Sequence, residues 1–385
     1  MFKGLNFDWP PIRVALEGQS YIDLPKLNVQ SRAEARQFLL AYGYDLDDPL
    51  VREEVWRIYF ESVSFIREQI LDPGEQLPQE LLRRGPSSDI EKLLVMASNG
   101  AADARWACAI LRVMHIISHL DNDVRLENFQ YARAQIFERF DDYIQPITPR
   151  RWKFGKGSNY VPLVRYIKKE RKDRNSTLIK LLSKPRASVE DIYDRIGFRF
   201  VTETRLDAFR LMQILFDLGV VSAPNIHPGR SVNSLLPVEV IQQMVDSTRD
   251  HLKAGRISQR NSLRRLQRLE EINFDPTSGV RNPFSSYWYR AMQFTCRQLI
   301  TAPDPTFKFW TELKKDLTKV KGLSAALKTV PIMLREKKTF YYPFEIQIMD
   351  KPSYIESIGG RSRHREYKSR QRAMARNRIL RDILP

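Results

Sequence analysis

The chain is short of cysteine, of acidic charge and of long apolar runs, and each shortage excludes something. Its 385 residues contain two cysteines, Cys108 and Cys296. Two are too few for a disulfide framework or a thiolate zinc site, and they fit a reducing compartment. No run of about 18 apolar residues occurs, so no membrane-spanning helix is expected. The stretch MFKGLNFDWPPIRVALEGQ lacks the continuous apolar segment of a secretory signal, so a cytoplasmic location is expected. Acids are outnumbered: 46 Asp and Glu stand against 63 Lys and Arg, a net charge of +17. Such an excess predicts an anionic partner, whether nucleotide phosphates, RNA, DNA or an acidic lipid surface. The excess is clustered. Nine Lys or Arg fall between Arg165 and Arg186 against two acids, and nine between Arg361 and Arg381 against one.

The apolar fraction is 42%, enough for a sizeable core, and the length suggests two domains or one with a large extension. Residues 1–30 are broken by proline. Helical patterns follow. Ser31 with Glu34 reads as a capping box, and so does Ser88 with Glu91. Asp48 before Pro49 reads as a cap with proline in the first turn. Behind it Val51, Val55, Trp56, Tyr59, Val63 and Ile66 recur at helical spacing. Further helices are expected over about 102–120 and 125–143. The first domain, 1–148, is therefore expected to be all-α. Pro146, Pro149 and the stretch KFGKGSN mark a boundary. The second domain, 149–385, mixes helices with the β-rich runs GFRFVTET, SYWYRAMQFT and TFYYPFEIQIM. Helical insertions are expected near 237–272 and 305–335. The fold class is α+β: a helical domain, then a mixed sheet flanked by helices.

The helical half contains His115 and His119 one turn apart, with Asp121 and Asp123 just beyond. That spacing puts both rings on one helix face, as a metal site needs. Packing and helix-end capping explain the same pattern and are preferred.

A phosphoryl-transferring site needs cations facing the phosphates, a carboxylate for Mg²⁺, and a group that takes the proton of the attacking hydroxyl. Three segments supply these types. In ERKDRNSTLIKLL, Lys172, Ser176 and Lys180 share one helix face, with Arg174 close by. In VEDIYDRIGFRFVTET, Asp194 precedes a buried strand that carries Arg199, whose guanidinium needs a partner. In FYYPFEIQIMD, Glu345 and Gln347 alternate with Phe344, Ile346 and Ile348, so the two polar side chains share one strand face. Each segment also has an ordinary reading: a solvated basic face, a structural salt bridge, an edge strand.

Taken in order, KDRNSTLIK, DIYDRIGFRFVTET, FEIQI and the run from His364 to Lys368 resemble the synthetase domain of the RelA/SpoT family. The resemblance covers about residues 160–370. It includes Ser176-x-x-x-Lys180, the step of 19 from Glu345 to His364, and Gly360 between them. It implies ATP as donor and Mg²⁺ as cofactor. Lys172, Lys180 and Arg199 would face the ATP, and Arg174 and Ser176 would also contact nucleotide. Asp194 and Glu345 would hold the metal, and Glu345 would also activate the acceptor hydroxyl. Gln347, His364 and Lys368 would shape the site.

The acceptor half departs from the family. Tyr289 matches its stacking tyrosine, but Gln293 stands where a histidine is expected. Ser285, Tyr287 and Trp288 stand where Lys, Asn and Gly are expected. The resemblance thus implies pyrophosphate transfer from ATP to a ribose hydroxyl, on a nucleotide or on the 3′ end of a tRNA or other RNA. A non-catalytic member that binds RNA or nucleotide is the alternative.

Overall fold

The computed structural model describes residues 9–385 apart from 19, 25–26, 83–88, 100–101, 170–172, 186, 236, 273–287, 318, 320–334, 360–363, 381–382 and 384–385. The described residues form 13 α-helices and one seven-stranded mixed sheet, an α+β fold. No helix among them is long and apolar enough to cross a membrane.

Six helices come first: α1 (Trp9–Glu17), α2 (Arg32–Tyr42), α3 (Pro49–Phe65), α4 (Ile90–Ser98), α5 (Ala102–Asp121) and α6 (Phe129–Asp141). Helix α1 falls in the proline-broken stretch 1–30, where no helix is expected; its prolines lie in the first turn, where a missing N–H costs nothing. Ser31 caps α2 by accepting from the Glu34 N–H, and the Glu34 carboxylate accepts from the Gln30 N–H. Asp48 caps α3 through the Leu50 N–H. At α4 the cap is Asp89, which accepts from the Glu91 N–H at 3.0 Å. Ser88, expected in that role, lies outside the described residues.

The sheet order is β1 (Ile144–Thr148), β2 (Arg151–Lys156), β3 (Asn159–Lys169), β4 (Gly197–Thr202), β7 (Lys337–Asp350), β6 (Met292–Pro303), β5 (Val232–Asn233). Only β4 and β7 are parallel neighbours. The stretch KFGKGSN is a β2–β3 hairpin. Gly155 is required in it, because a Cβ there would lie 2.2 Å from the Asn159 carbonyl oxygen. The remaining helices are α7 (Arg174–Ser183), α8 (Arg205–Asp217), α9 (Val238–Lys253), α10 (Gln259–Gln267), α11 (Pro305–Leu317), α12 (Lys351–Gly359) and α13 (His364–Leu380).

Two main cores result, and they do not follow the chain boundary expected at 148. One sheet face buries Phe198, Phe200, Phe344, Ile346 and Ile348 against Ile136 and Phe140 of α6 and Leu211 of α8. Helix α6 and strand β1 thus belong with the sheet. The helical core takes Leu178, Leu181 and Leu182 from α7 and Ala375, Ile379 and Leu380 from α13. Helix α3 ends in a wider π turn, Ile66–Ile70. Arg372 of α13 donates to the main-chain oxygens of Gln69 at 2.8 Å and Leu71 at 2.9 Å, and Arg376 pairs with Asp72 at 3.1 Å. These cations of the C-terminal cluster are committed inside the fold.

Candidate active site

The sheet face opposite the aromatic core is polar at its centre. Period two along β7 turns Glu345 and Gln347 away from Phe344 and Ile346. Register then sets Gly197 and Thr295 beside Glu345, and Arg199 and Gln293 beside Gln347. The four polar side chains bond in sequence. Arg199 Nε donates to Gln347 Oε1 at 3.0 Å. Gln347 Nε2 donates to Glu345 Oε1 at 3.0 Å and to Gln293 Oε1 at 3.2 Å. Gln293 Nε2 donates to Glu345 Oε2 at 2.5 Å. Arg199 therefore takes an amide partner and not the carboxylate that an ordinary salt bridge would supply.

Asp194 lies just ahead of β4 and gathers two ammonium groups. Lys180 Nζ donates to Oδ1 at 2.8 Å and Lys169 Nζ to Oδ2 at 3.0 Å. Lys180 reaches it from α7, and Lys169 from the end of β3, where it is paired with Gly197. A Cβ at Gly197 would sit 3.3 Å from the Glu345 carbonyl oxygen and 3.7 Å from the Lys169 side chain. The absent side chain at Gly197 keeps that crossing open.

Charge is concentrated here. Burial pushes the Glu345 carboxyl above the usual carboxylate range, and Asp194 pushes it further; Lys169, Lys180 and the Gln293 hydrogen bond offset part of this. Burial works against the charge on Lys180, but Asp194 outweighs it, so its pKa lies above the ordinary lysine value. One turn on, Lys184 has its pKa lowered by burial and by the repulsion of Lys180. These are the responses of a desolvated cluster in which each group's charge depends on its neighbours.

Helix α7 places Ser176 and Lys180 on its sheet-facing side while its leucines enter the helical core. Lys368 of α13 donates to Ser176 Oγ at 3.3 Å. Tyr289 has part of its surface open, but its ring packs against the small cluster of Val201, Ala291, Met349 and Tyr354. It is near enough to Arg199 and Glu345 to feel their charges.

Other expected residues are placed differently. Arg174 points to the helical bundle, pairing with Asp121 at 2.7 Å and with Glu61. Trp288 is exposed. Lys172, Ser285, Tyr287, Gly360 and the side chain of His364 lie outside the described residues. His115 and His119 lie side by side, ring centroids 4.4 Å apart, but Asp121 is held by Arg57 and Arg174, and Asp123 by Arg125 and Arg195. Among the described residues no group of three or more His, Cys, Asp or Glu is placed to hold a metal.

Sequence reasoning missed Lys169 and Lys184, and it read Gln293 only as a departure. The alternation in the end of β3 carried the signal for Lys169: Ile167 and Lys169 share one face, and Lys168 turns to Asp141 on the other. Compared with known proteins, the chain matches no family profile, no curated protein and no solved structure.

Proposed function

We propose that this face transfers pyrophosphate from ATP to a ribose hydroxyl, releasing AMP, as the resemblance to RelA/SpoT synthetases implies. One observation carries the reading. Two carboxylates and two lysines converge on one desolvated patch of a sheet face, where a structural ion pair needs only one of each. Lys169, Lys180 and Arg199 neutralise the triphosphate. Asp194 and Glu345 suit a small hard cation, being oxygen donors whose mutual repulsion a divalent ion relieves. Mg²⁺ held there by Asp194 and Glu345 would polarise the transferring group.

The hydroxyl oxygen forms a bond to the β-phosphorus, and the bond from that phosphorus to the bridging oxygen of AMP breaks. Glu345 takes the hydroxyl proton. Burial holds this carboxyl above the usual carboxylate range in the metal-free protein, and a bound cation would lower it again, leaving it ionised to accept the proton. Gln293 and Gln347 hold its two oxygens in place.

A second reading concerns the acceptor. Beyond Glu345 the same sheet face runs outward along β6 and β7 as exposed Arg297, Leu299 and Tyr341, with the Arg297 guanidinium 5.9 Å from the Tyr341 ring centroid. A cation beside an open ring suits a single-stranded nucleic acid, which favours an RNA 3′ end as acceptor. The test is incubation with labelled ATP, Mg²⁺, and GDP, GTP or tRNA. AMP and a labelled acceptor are expected, and both are lost in Asp194→Asn and Glu345→Gln. Product formation undiminished in both variants would place the chemistry elsewhere.

A further inference from the structure

The helical bundle contains a cavity that the proposed reaction does not use. Its volume is about 80 Å³, room for on the order of five waters when each needs about one probe sphere. Helices α2, α3, α4 and α5 wall it, joined by Leu24 and Leu27 from the segment before α2. Most of the wall is apolar, as at Leu39, Val55, Ile58 and Leu94.

Its polar groups are few. The Tyr42 hydroxyl lies 2.7 Å from His115 Nδ1, and the Tyr44 hydroxyl 2.5 Å from Ser118 Oγ. Hydroxyls and a neutral imidazole can each donate or accept, so these pairs can reorient toward a guest of either kind. His115 is neutral near pH 7, because burial, and next the charge of His119, push its pKa down to about 4. Arg112 also lines the cavity, but its guanidinium is occupied by the main-chain oxygens of Ile379 at 2.9 Å and Leu24 at 2.8 Å. Asp121, two residues beyond His119, is held by Arg57 and Arg174.

We propose that this cavity binds a small, uncharged, mainly apolar molecule that carries one hydrogen-bonding group, seated against the Tyr42–His115 and Tyr44–Ser118 pairs. The alternatives fit less well. A buried water needs roughly two to four polar partners, which only the end of the cavity at the Tyr42–His115 and Tyr44–Ser118 pairs offers; the leucine, isoleucine and valine side chains along the rest of the wall supply none. An anion or a cation would enter against mostly apolar walls, with the nearby charges already paired. This inference is independent of the chemistry proposed for the sheet face.

Phenol, benzene and benzoate are suitable probes: similar rings with one hydroxyl, no polar group, and a charge. They are added to the full chain while thermal unfolding and the ¹⁵N signals of the His115 ring are followed. Phenol is expected to raise the unfolding midpoint saturably and to shift the His115 signals. Benzene should bind roughly tenfold more weakly, losing about one hydrogen bond, and benzoate should do neither. Filling the cavity by Leu94→Phe, or independently by Val55→Phe, should abolish the phenol response. The proposal is overturned if phenol leaves both readouts of the wild type unchanged, if benzoate matches phenol, or if a folded cavity-filled variant responds like wild type. The His115 signals of the wild type decide the matter without any variant.

Discussion

Lys180 and Asp194 meet at 2.8 Å across the seam between the two cores. Helix α7, which carries Lys180, is anchored by its leucines in the helical core, whereas Asp194 leads into the sheet. The candidate site is therefore assembled by the packing of one unit on the other. A helix that shifted on the bundle would move a cation relative to a carboxylate.

Lys180→Met tests that geometry. It keeps the length of the side chain and removes the charge. Product formation should fall by about 10²–10³, the usual cost of one preorganised electrostatic contact, and the unfolding midpoint should fall as well, because Asp194 loses one of its two cations. Steady-state rates beside thermal melts measure both.

Glu345→Gln is expected to stabilise the protein at neutral pH while abolishing product. The folded-state pKa of Glu345 lies above its unfolded value. As pH rises through the unfolded pKa, the unfolded chain loses its proton first, so the native state holds more protons and is progressively destabilised until the folded pKa is passed. Gln cannot ionise. The midpoint of the variant should thus match wild type in acid and exceed it above the folded-state pKa. Melting curves at stepped pH values give the answer, and a variant less stable at neutral pH would contradict the burial argument.

Lys169 lowers the pKa of Glu345, so its removal must raise it. In Lys169→Met the acid limb of the rate profile should move to higher pH, in addition to an overall loss of rate. A profile of kcat/KM against pH whose acid limb stays in place would separate Lys169 from the base.

Arg174→Ala should act on stability and not on nucleotide affinity. Its guanidinium bridges Asp121 and Glu61, but about a third of the side chain is exposed. Solvent screening therefore reduces the cost to about 1–2 kcal/mol, below that of breaking a fully buried pair. Denaturant unfolding reads the loss, while KM for ATP stays within about twofold, a difference of roughly 0.4 kcal/mol. A large KM effect would return Arg174 to the nucleotide.

Much of this arrangement was legible from the residues. The alternation through Glu345 and Gln347 located β7 and its polar face, and Ser176 with Lys180 defined a helix side. Helices α9 and α10 lie within the stretch 237–272, and α11 within 305–335. What local patterns did not carry was partner choice across long separations. Arg174 looks like any cation of its cluster, and only the packing of α7 on α3 and α5 turns it toward Glu61 and Asp121. Strands β1 to β3 were hidden because proline and basic residues interrupt the apolar rhythm by which strands are read. Pairing with β4, which has no local signature, builds them into the sheet. Lys169 was lost with them.

The position of α13 also bears on how the protein is made. Ala375, Ile379 and Leu380 complete a core whose first members are Ile22 and Val29, and Arg378 returns to Asp23 at 2.8 Å. A ribosome releases residues at about 5–20 per second, so the first helices spend on the order of twenty seconds or more without the segment that seals them. Through that interval the side of α5 that α13 covers faces water or a chaperone. The helical unit cannot mature as an early, independent product of translation, and a messenger truncated before α13 would yield a chain with an open core.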